Sequence, residues 1–303
     1  MPRQIFSSFW HGPALSPLHW ACLDSFPRNG HTLRLFVYDE VAVPKGVVLE
    51  DASRILPLET LFAFQNTFSA FSNIFRYTLL LKHGGFWVDT DVYCLTEDIP
   101  SSRYVWAHED PTSIAIGVLK FPRGDRVLRA ILKEALEIGP AVKVWGEIGP
   151  RLFTRHIEGR TFKDHYGSTE AFYPIHWLET ALLWIPQGDS VVRSRCARSP
   201  LVHLWGSMFR RLGIDLDRQA PPGSFLEAIY RQAGFERPLP PQGLEDTARA
   251  LAAISNFLGR ERGSRQAMAK RVQAAFRLAF SLEESGATRA STPRRARATK
   301  KAG

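Results

Sequence analysis

The sequence predicts an α/β fold followed by a helical segment at the C-terminal end. Three observations predict it: apolar runs alternate with helical patterns from the first residues onward, one apolar strand runs directly into a pair of aspartates, and a proline cluster precedes two amphipathic patterns. A chain of 303 residues that is 45% hydrophobic is long enough to bury one substantial core.

The first three elements are predicted to be a strand, a helix and a strand. Residues 4–9 form an apolar run that Gly12 and Pro13 close, residues 16–27 have helical spacing, and residues 33–38 are again apolar. Strands that alternate with helices in this way are typical of α/β domains.

The next helix leads into the aspartates. Residues 69–82 have helical periodicity, with Ser69 placed to cap the first turn and Gly84-Gly85 placed to end the helix. A short apolar strand at 86–88 then runs straight into Asp89-Thr90-Asp91. Later in the chain, the patterns predict strands at 103–107, 114–119 and 201–204, and helices at 124–137 and 150–158.

The segment Pro238-Leu-Pro-Pro241 marks the clearest domain boundary, and residues 244–258 and 264–283 after it read as amphipathic helices. We therefore predict a catalytic domain at 1–237, a helical appendage at 238–284 and a basic disordered tail at 285–303. The net charge of the chain is +9, and the tail holds six cations and no acid. Such a tail is either a solubility device or a contact for an anionic surface.

The sequence predicts neither a membrane-spanning helix nor a signal peptide, because it has no run of 18 apolar residues and its first ten residues read as a strand. Its three cysteines, Cys22, Cys94 and Cys196, lie far apart without metal-type spacing. The odd number favours a reducing compartment, so we expect a cytoplasmic protein.

Asp89 and Asp91 are the strongest candidates for chemistry. Side chains two residues apart on a strand point the same way, so the two carboxylates repel each other unless a cation lies between them. Their oxygen atoms favour Mn²⁺ or Mg²⁺. A second pair, Asp215 and Asp217, follows a polar stretch and is interpreted as a solvated surface pair.

The run from Phe71 to Asp91 resembles the signature of the DXD-containing glycosyltransferase sugar-binding region, a family that includes polysaccharide and α-1,4-galactosyltransferase-like enzymes and, more distantly, the glucosylating domains of large clostridial toxins. The matching residues are Ser72, Arg76, Gly84, Gly85, Asp89 and Asp91. The resemblance implies a GT-A-type, Rossmann-like domain that binds a nucleotide sugar, with a UDP-sugar favoured.

The resemblance also implies a set of site residues. Asp89 and Asp91 would hold the metal, and His203, in the apolar run 201–204, is the best candidate among nine histidines for a third ligand. Glu147 is the one carboxylate near a Gly-Pro pair that could orient an acceptor hydroxyl. Donor-binding residues are expected at Trp10, Asn73, Arg76, Gly85, Trp205 and Ser207.

Asn73 departs from the family pattern, in which an aspartate contacts the hydroxyls of the donor sugar. Asn73 and Arg76 are three residues apart and share a helix face. An amide keeps one acceptor and adds two donors. The departure affects the identity of the donor sugar and leaves the metal site intact.

The resemblance implies a retaining hexosyltransferase of polysaccharide biosynthesis, acting on a glycan or glycolipid acceptor. Three alternatives remain. A haloacid-dehalogenase-type phosphatase is disfavoured because Tyr93 stands where that motif needs Thr or Val. A catalytically impaired protein that only binds a sugar nucleotide or glycan is the second. Nucleic-acid binding through the tail is the third, and no recognisable nucleic-acid module accompanies it.

The C-terminal segment also predicts peripheral contact with an anionic membrane. Basic and aromatic residues on an amphipathic helix suit a membrane surface. We therefore expect residues 242–303 to hold the enzyme at the inner membrane surface. The cations of the appendage are Arg260, Arg262, Arg265, Lys270, Arg271 and Arg277.

Overall fold

The computed structural model describes residues 3–235 and 237–241, together with residues 270 and 274. The helices predicted at 244–258 and 264–283 and the tail at 285–303 therefore lie outside the described residues, apart from those two positions. In the described part of the chain, no helix is long and apolar enough to span a bilayer.

The described chain contains nine strands: β1 (Ile5–Phe9), β2 (Thr32–Val37), β3 (Val47–Asp51), β4 (Gly85–Val88), β5 (Val92–Cys94), β6 (Tyr104–Asp110), β7 (Ser113–Phe121), β8 (His165–Tyr166) and β9 (Leu201–His203). It also contains nine α-helices: α1 (Pro17–Arg28), α2 (Ser69–His83), α3 (Arg126–Ile138), α4 (Pro150–Ile157), α5 (Thr169–Phe172), α6 (Ala181–Trp184), α7 (Asp189–Cys196), α8 (Gly206–Arg211) and α9 (Phe225–Gln232).

The central sheet has seven strands in the order β3-β2-β1-β4-β7-β6-β8. The first four are parallel to one another, and β7 runs antiparallel to both β4 and β6. From β1 the chain proceeds outward to β2 and β3, and α2 then returns it to the other side of β1 as β4. The strand order therefore reverses between β1 and β4, which is where open α/β sheets bind ligands at the carboxyl ends of their strands.

Alternating side chains of β4 join the layers on the two faces of this sheet. Trp87 packs on one face with Phe75 of α2 and with residues of α3 and α4. Phe86 and Val88 pack on the other face with residues of α1 such as Phe26. A third buried cluster forms around α6, α7 and α9. Burial on both faces explains why β4 reads as a continuous apolar run.

A separate two-stranded sheet connects distant parts of the chain. β5 begins one residue after Asp91 and pairs antiparallel with β9, so that Val92 lies opposite His203. The N–H of Leu204 donates to the carbonyl of Asp91 at 2.8 Å. This pairing carries the C-terminal histidine to the end of β4.

The predicted α/β class is confirmed, and so are the main elements around the aspartates. One cap is corrected: Phe68 precedes the first residue of α2, and the hydroxyl of Ser69 lies 3.0 Å from that of Thr67 instead of capping the helix. The sequence patterns did not predict β3, which has no buried residue, β5 and β8, which span three and two residues, or the helices α5 to α9.

The predicted boundary at residue 237 falls inside a packed segment. Gln219 contributes two hydrogen bonds to it, from its N–H to Pro240 at 3.0 Å and from its side chain to Leu239 at 3.0 Å. Arg237 pairs with Asp217 at 2.5 Å. The described chain therefore holds residues 237–241 against the residues around Asp217.

Candidate active site

Asp89 directly follows β4 at the carboxyl edge of the sheet, where the strand order reverses. Its backbone N–H donates to Gly117 on β7 at 2.8 Å, which extends the ladder between the two strands by one residue. Its Oδ1 accepts hydrogen bonds from the indole of Trp87 at 2.8 Å and from Arg76 Nη2 at 2.5 Å. One oxygen of Asp89 is therefore bound by the protein, and Oδ2 faces the site.

Arg76 lies behind Asp89. It is 3% exposed, its Nη1 donates to the carbonyl of Ile116 at 2.8 Å, and its guanidinium lies 4.9 Å from the ring centre of Trp87. The sequence prediction gave Arg76 a donor-binding function. In this structure its hydrogen bonds go to Asp89 and to the sheet, so the contact it makes is with the carboxylate and not with an open cleft.

Asp91 is fixed by the segment after β9. Its Oδ2 accepts from the N–H of Gly206 at 2.7 Å, and its Oδ1 lies 3.1 Å from His203 Nε2. His203 Nε2 also lies 3.9 Å from Asp89 Oδ2. One ligand atom from each of Asp89, Asp91 and His203 lies within 4.8 Å of the others. We call these three residues the carboxylate–histidine group.

The electrostatics of this group indicate a position that favours a cation. Burial opposes the imidazolium of His203, but the carboxylates of Asp91 and Asp89 outweigh it and raise the pKa of His203 to about 10. Burial likewise opposes the charged form of Asp91, but His203, and more weakly His19 and the Gly206 N–H, hold the pKa of Asp91 well below its usual range. In the absence of a metal, protonated His203 balances the two carboxylates.

The space around the group depends on two glycines. A Cβ at Gly117 would lie 2.8 Å from His203 Cδ2, 3.0 Å from its Nε2 and 3.4 Å from Asp89 Oδ2. A Cβ at Gly206 would lie 3.2 Å from Asp91 Oδ2. Contacts this short are not tolerated without a shift of the side chains. These glycines therefore let β7 and the start of α8 approach the carboxylates and the imidazole.

Asn73 lies one helical turn before Arg76 and beside the start of α4. A Cβ at Gly149 would lie 2.7 Å from Asn73 Nδ2, so a glycine is needed for the close approach of the two segments. The hydroxyl of Tyr77 donates to the carbonyl of Gly149 at 3.4 Å. The described residues offer the Asn73 amide no hydrogen bond, which leaves its polar atoms available to a ligand.

Trp10 follows β1, the neighbour of β4 in the sheet. Its indole N–H donates to the carbonyl of Gly12 at 3.3 Å, and its ring centre lies 4.6 Å from that of His19. His19 is anchored in turn by the hydroxyl of Ser16, 2.7 Å away. Burial is the main cause that lowers the pKa of His19 to about 4, so the ring beside Trp10 is neutral at neutral pH.

One family model matches the chain over residues 45–106, and it is described as the glycosyltransferase sugar-binding region containing the DXD motif. This range includes Asn73, Arg76, Asp89 and Asp91. Residues 45–106 are thus similar to the sugar-binding region of DXD-containing glycosyltransferases. The resemblance seen in the sequence is thereby confirmed, and with it the prediction that the chain is a glycosyltransferase.

Two solved glycosyltransferases have similar structures. The first is titled PaToxG Glycosyltransferase, with 13% identity and a TM-score of 0.39, and the match covers 76% of this chain and 84% of that one. The second is the glycosyltransferase GlyE of Streptococcus pneumoniae TIGR4, with 9% identity and a TM-score of 0.44, covering 85% of this chain and 64% of that one. No curated protein matches. Similarities this distant carry neither substrate nor acceptor to this chain.

The structure places the other predicted site residues of this transferase in three different situations. Trp205 lies beside the group: its ring centre is 4.0 Å from that of His203, and its indole donates to the carbonyl of Ile175 at 2.7 Å. Ser207 is exposed on α8, one residue after Gly206. Gly85 begins β4 at the amino end, four residues and roughly 13 Å of strand from Asp89. The structure therefore separates Gly85 from the carboxylate–histidine group.

Glu147 was predicted to act on the acceptor hydroxyl. In the structure its Oε2 accepts from the N–H groups of Lys143 and Val144 at 2.6 and 3.2 Å. These two hydrogen bonds lower the pKa of Glu147. The carboxylate thus closes a turn in its own loop, and its lowered pKa makes it a weak base.

Sequence reasoning did not single out four residues that shape this transferase site. Trp87 was read as part of an apolar strand, although its indole N–H binds Asp89, and Tyr173 packs against both His203 and Trp205. Gly206 lies inside the segment quoted around His203. Gly117 had no local signal at all, because its importance comes from a side chain 86 positions away.

Proposed function

We propose that this chain transfers a hexose from a nucleotide-sugar donor to a hydroxyl of a glycan or glycolipid acceptor, in a reaction that depends on a divalent metal. The observation that carries the proposal is the convergence of Asp89, Asp91 and His203 at the point where the strand order reverses. Nucleotide ligands bind at this point in open α/β sheets. The match of residues 45–106 to the glycosyltransferase sugar-binding region supports sugar transfer as the reaction.

The residues present fit a divalent cation. The missing Cβ at Gly117 leaves room against His203 Nε2 and Asp89 Oδ2, and Gly206 leaves room against Asp91. Two carboxylates with an imidazole favour Mn²⁺ over Mg²⁺, because Mg²⁺ prefers oxygen ligands alone and imidazole suits softer metals. Binding would displace the proton that His203 holds in the free protein.

When bound, the metal would neutralise negative charge on the leaving diphosphate. Within the chain, Arg76 and Trp87 fix one oxygen of Asp89, and Gly206 fixes one oxygen of Asp91. Both carboxylates are thus preorganised, so they do not have to rearrange during the reaction. The resemblance to the family supports retention of anomeric configuration.

A UDP-sugar is the favoured donor. Trp10 lies at the carboxyl end of β1 beside neutral His19, where a flat apolar ring can stack on a base. Trp205 lies against His203 on the other strand pair, and exposed Ser207 follows it. We propose that these residues bind the nucleotide and diphosphate.

Asn73 is proposed to contact the sugar of the donor, since its amide has no partner among the described residues and it lies one turn from Arg76. Asn73→Asp should change the ranking among UDP-glucose, UDP-galactose and UDP-N-acetylglucosamine more than it changes the Kd for UDP. Steady-state hydrolysis of each donor and isothermal titration with UDP measure the two quantities. An unchanged ranking with altered UDP affinity would contradict this placement.

The central test is donor hydrolysis by the full chain, with UDP- and GDP-sugars, in Mn²⁺ or EDTA. Asp89→Ala, Asp91→Ala and His203→Ala should each reduce hydrolysis to background. Each should also abolish the Mn²⁺-dependent rise in Tm with UDP, because a ligand that binds only the folded state stabilises it by about 2.7 kcal/mol at a hundredfold excess over Kd.

The second aspartate pair supplies the matched control. Asp215 has the same spacing to Asp217, but it lies on the surface and contacts Arg218 at 3.5 Å. Asp215→Ala should leave hydrolysis and the Tm response unchanged. Hydrolysis at the wild-type rate by either Asp89 or Asp91 variant in EDTA would refute the metal proposal. Metal-dependent UDP binding without turnover of any donor or transfer to any acceptor would favour the binding-only alternative.

A further inference from the structure

Trp145 is a large apolar side chain that folding leaves open to solvent. Its exposure is 48%, and it is the one tryptophan among the strongly exposed large hydrophobic residues of the described chain. Single exposed apolar residues are common and need no function by themselves. The residues around Trp145 indicate a function for this side chain.

The loop that carries Trp145 contacts the proposed donor site at Asn73 and the last residue of α8. At its end, Gly149 packs against the amide of Asn73. At Trp145 itself, the guanidinium of Arg211 lies 5.9 Å from the ring centre. Arg211 ends α8, and the first residue of that helix, Gly206, donates to Asp91. The loop from Trp145 to Gly149 thus connects the sugar-side residue Asn73 with the helix that follows the metal ligands.

The indole is also held in place. Glu147 closes the turn around it by accepting from the N–H groups of Lys143 and Val144. The Arg211 guanidinium covers part of the ring through a cation–π contact. A rigid aromatic ring with two side-chain torsions loses little entropy when it binds a partner. The exposed half of the side chain therefore forms a preformed flat apolar surface.

We propose that Trp145 is the stacking platform for a sugar ring of the acceptor glycan, with Arg211 supporting the indole. The proposal rests on the sugar-transfer function proposed above. One face of a pyranose ring presents C–H groups, which stack on an aromatic ring, while its hydroxyls remain at the rim for polar partners. No bond is made or broken at Trp145, so its contribution is to bind and orient the acceptor.

The position of Trp145 separates it from the nucleotide. Trp10 packs with the cluster on the α1 face of the sheet. Trp145 precedes α4, whose residues pack on the opposite face, with those of α2 and α3. A donor that spans the carboxyl edge from Trp10 to Asn73 has its sugar next to the Trp145 loop, where an acceptor must approach it.

Two experiments on the full chain test this proposal. In the first, the protein is labelled with 5-fluorotryptophan, and the ¹⁹F resonance of Trp145 is assigned by its loss in Trp145→Phe. The α- and β-methyl glycosides of glucose, galactose, mannose and N-acetylglucosamine, and methyl lactoside, are then titrated with UDP and Mn²⁺ present. At least one glycoside should shift the Trp145 resonance saturably, and Arg211→Gln should weaken that response.

In the second, transfer to the glycoside that binds is measured by steady-state kinetics. Trp145→Ala should raise the acceptor KM at least tenfold, and Trp145→Phe less than threefold, with the donor KM within twofold of wild type. Leu136→Ala is the matched control, because Leu136 is 53% exposed on α3. It should change neither constant.

The outcomes separate this proposal from the proposed function. If no glycoside moves the Trp145 resonance, or if Trp145→Ala raises the donor KM as much as the acceptor KM, the platform is refuted while metal-dependent hydrolysis still stands. If the resonance responds but no donor is hydrolysed, the transfer function fails and glycan binding remains.

Discussion

Arg76 shows how a single side chain orders the site without facing it. It ties Asp89, at the end of β4, to the carbonyl of Ile116 on β7, and it stacks on Trp87. The guanidinium fork makes these contacts at once, which a lysine ammonium does not reproduce. The geometry of Asp89 is therefore determined by a residue 13 positions earlier.

We predict that Arg76→Met destabilises the fold and weakens metal binding. Asp89 would lose its charged partner at a site where its side chain is 27% exposed. The cost should be about 2–3 kcal/mol, below the range for a fully buried pair because water reaches Asp89. Urea unfolding measures it, and Mn²⁺ titration should show a Kd at least about tenfold higher.

Arg54→Met is the control for that substitution. Arg54 is 73% exposed and lies 3.9 Å from Glu50. Exposed pairs contribute about 0–1 kcal/mol, so the two variants should differ clearly in their urea midpoints. Equal effects would show that Arg76 acts as an ordinary surface charge.

At the scale of elements, the turn between α2 and β4 depends on a glycine that has no room for a side chain. Gly84 ends α2 with φ +69, and a Cβ there would lie 2.7 Å from the N of Arg123. Gly30, after α1, has φ +77 and nothing within 4 Å of an added Cβ. Both glycines have a positive φ, but Gly84 also has ψ −167, a combination essentially restricted to glycine, and it has no room for a Cβ.

We predict that alanine at Gly84 destabilises the fold more than alanine at Gly30. Gly30→Ala should cost about 1 kcal/mol, from the left-handed strain alone. Gly84→Ala should cost about 1–3 kcal/mol more, because the added methyl also meets the backbone at Arg123. Urea unfolding of both variants tests this, and equal destabilisation would mean that the close approach at Gly84 is absent in solution.

The loop around Glu147 carries another prediction at this scale. If the carboxylate orders the loop, Glu147→Ala should raise the acceptor KM several-fold and leave the pH profile of kcat unchanged. If it were the catalytic base, kcat would fall at all pH values and its acidic limb would disappear. Because the two N–H donors lower the pKa of Glu147, order in this loop should be present at neutral pH and lost only as pH falls through that lowered pKa.

For the whole molecule, we propose that the catalytic unit extends to Pro241 and that the appendage and tail act elsewhere. Arg218 and Gln219 hold the segment up to Pro241 by hydrogen bonds to its carbonyls. A chain that ends at Pro241 should therefore keep the wild-type Tm and donor hydrolysis. A chain that ends at Arg237 should have a lower Tm. Thermal unfolding and hydrolysis of both truncations test the boundary.

The same truncations test the proposed membrane contact of residues 242–303. The full chain should float with vesicles of phosphatidylglycerol and phosphatidylcholine at low salt, and high salt should release it, since each cation near an anionic surface contributes roughly 1 kcal/mol. The chain that ends at Pro241 should not float. If the full chain does not bind the vesicles, or if the chain that ends at Pro241 loses hydrolysis, residues 242–303 have a structural function instead.

The sequence alone determined the local part of this site. Residues 69–91 contain a helical period, a glycine turn and a strand that ends in two carboxylates, and each of these signals acts over a few neighbouring positions. Helix, turn and strand were therefore predicted close to their observed bounds. The sequence motif also grouped Gly85 with the donor-binding residues, although Gly85 lies at the amino end of β4, away from Asp89. A motif gives the order and spacing of residues but not their positions in space.

Only the tertiary structure decided which distant groups meet those carboxylates. The β5–β9 pairing brings His203 to residues more than a hundred positions earlier, and the approach of β7 depends on the missing side chain of Gly117. Arg76 points inward because it pairs with Asp89. Glu147 points into its own turn because it accepts from N–H groups there. Such outcomes depend on which partner lies within hydrogen-bonding distance after packing, a property of the folded chain that no local pattern encodes.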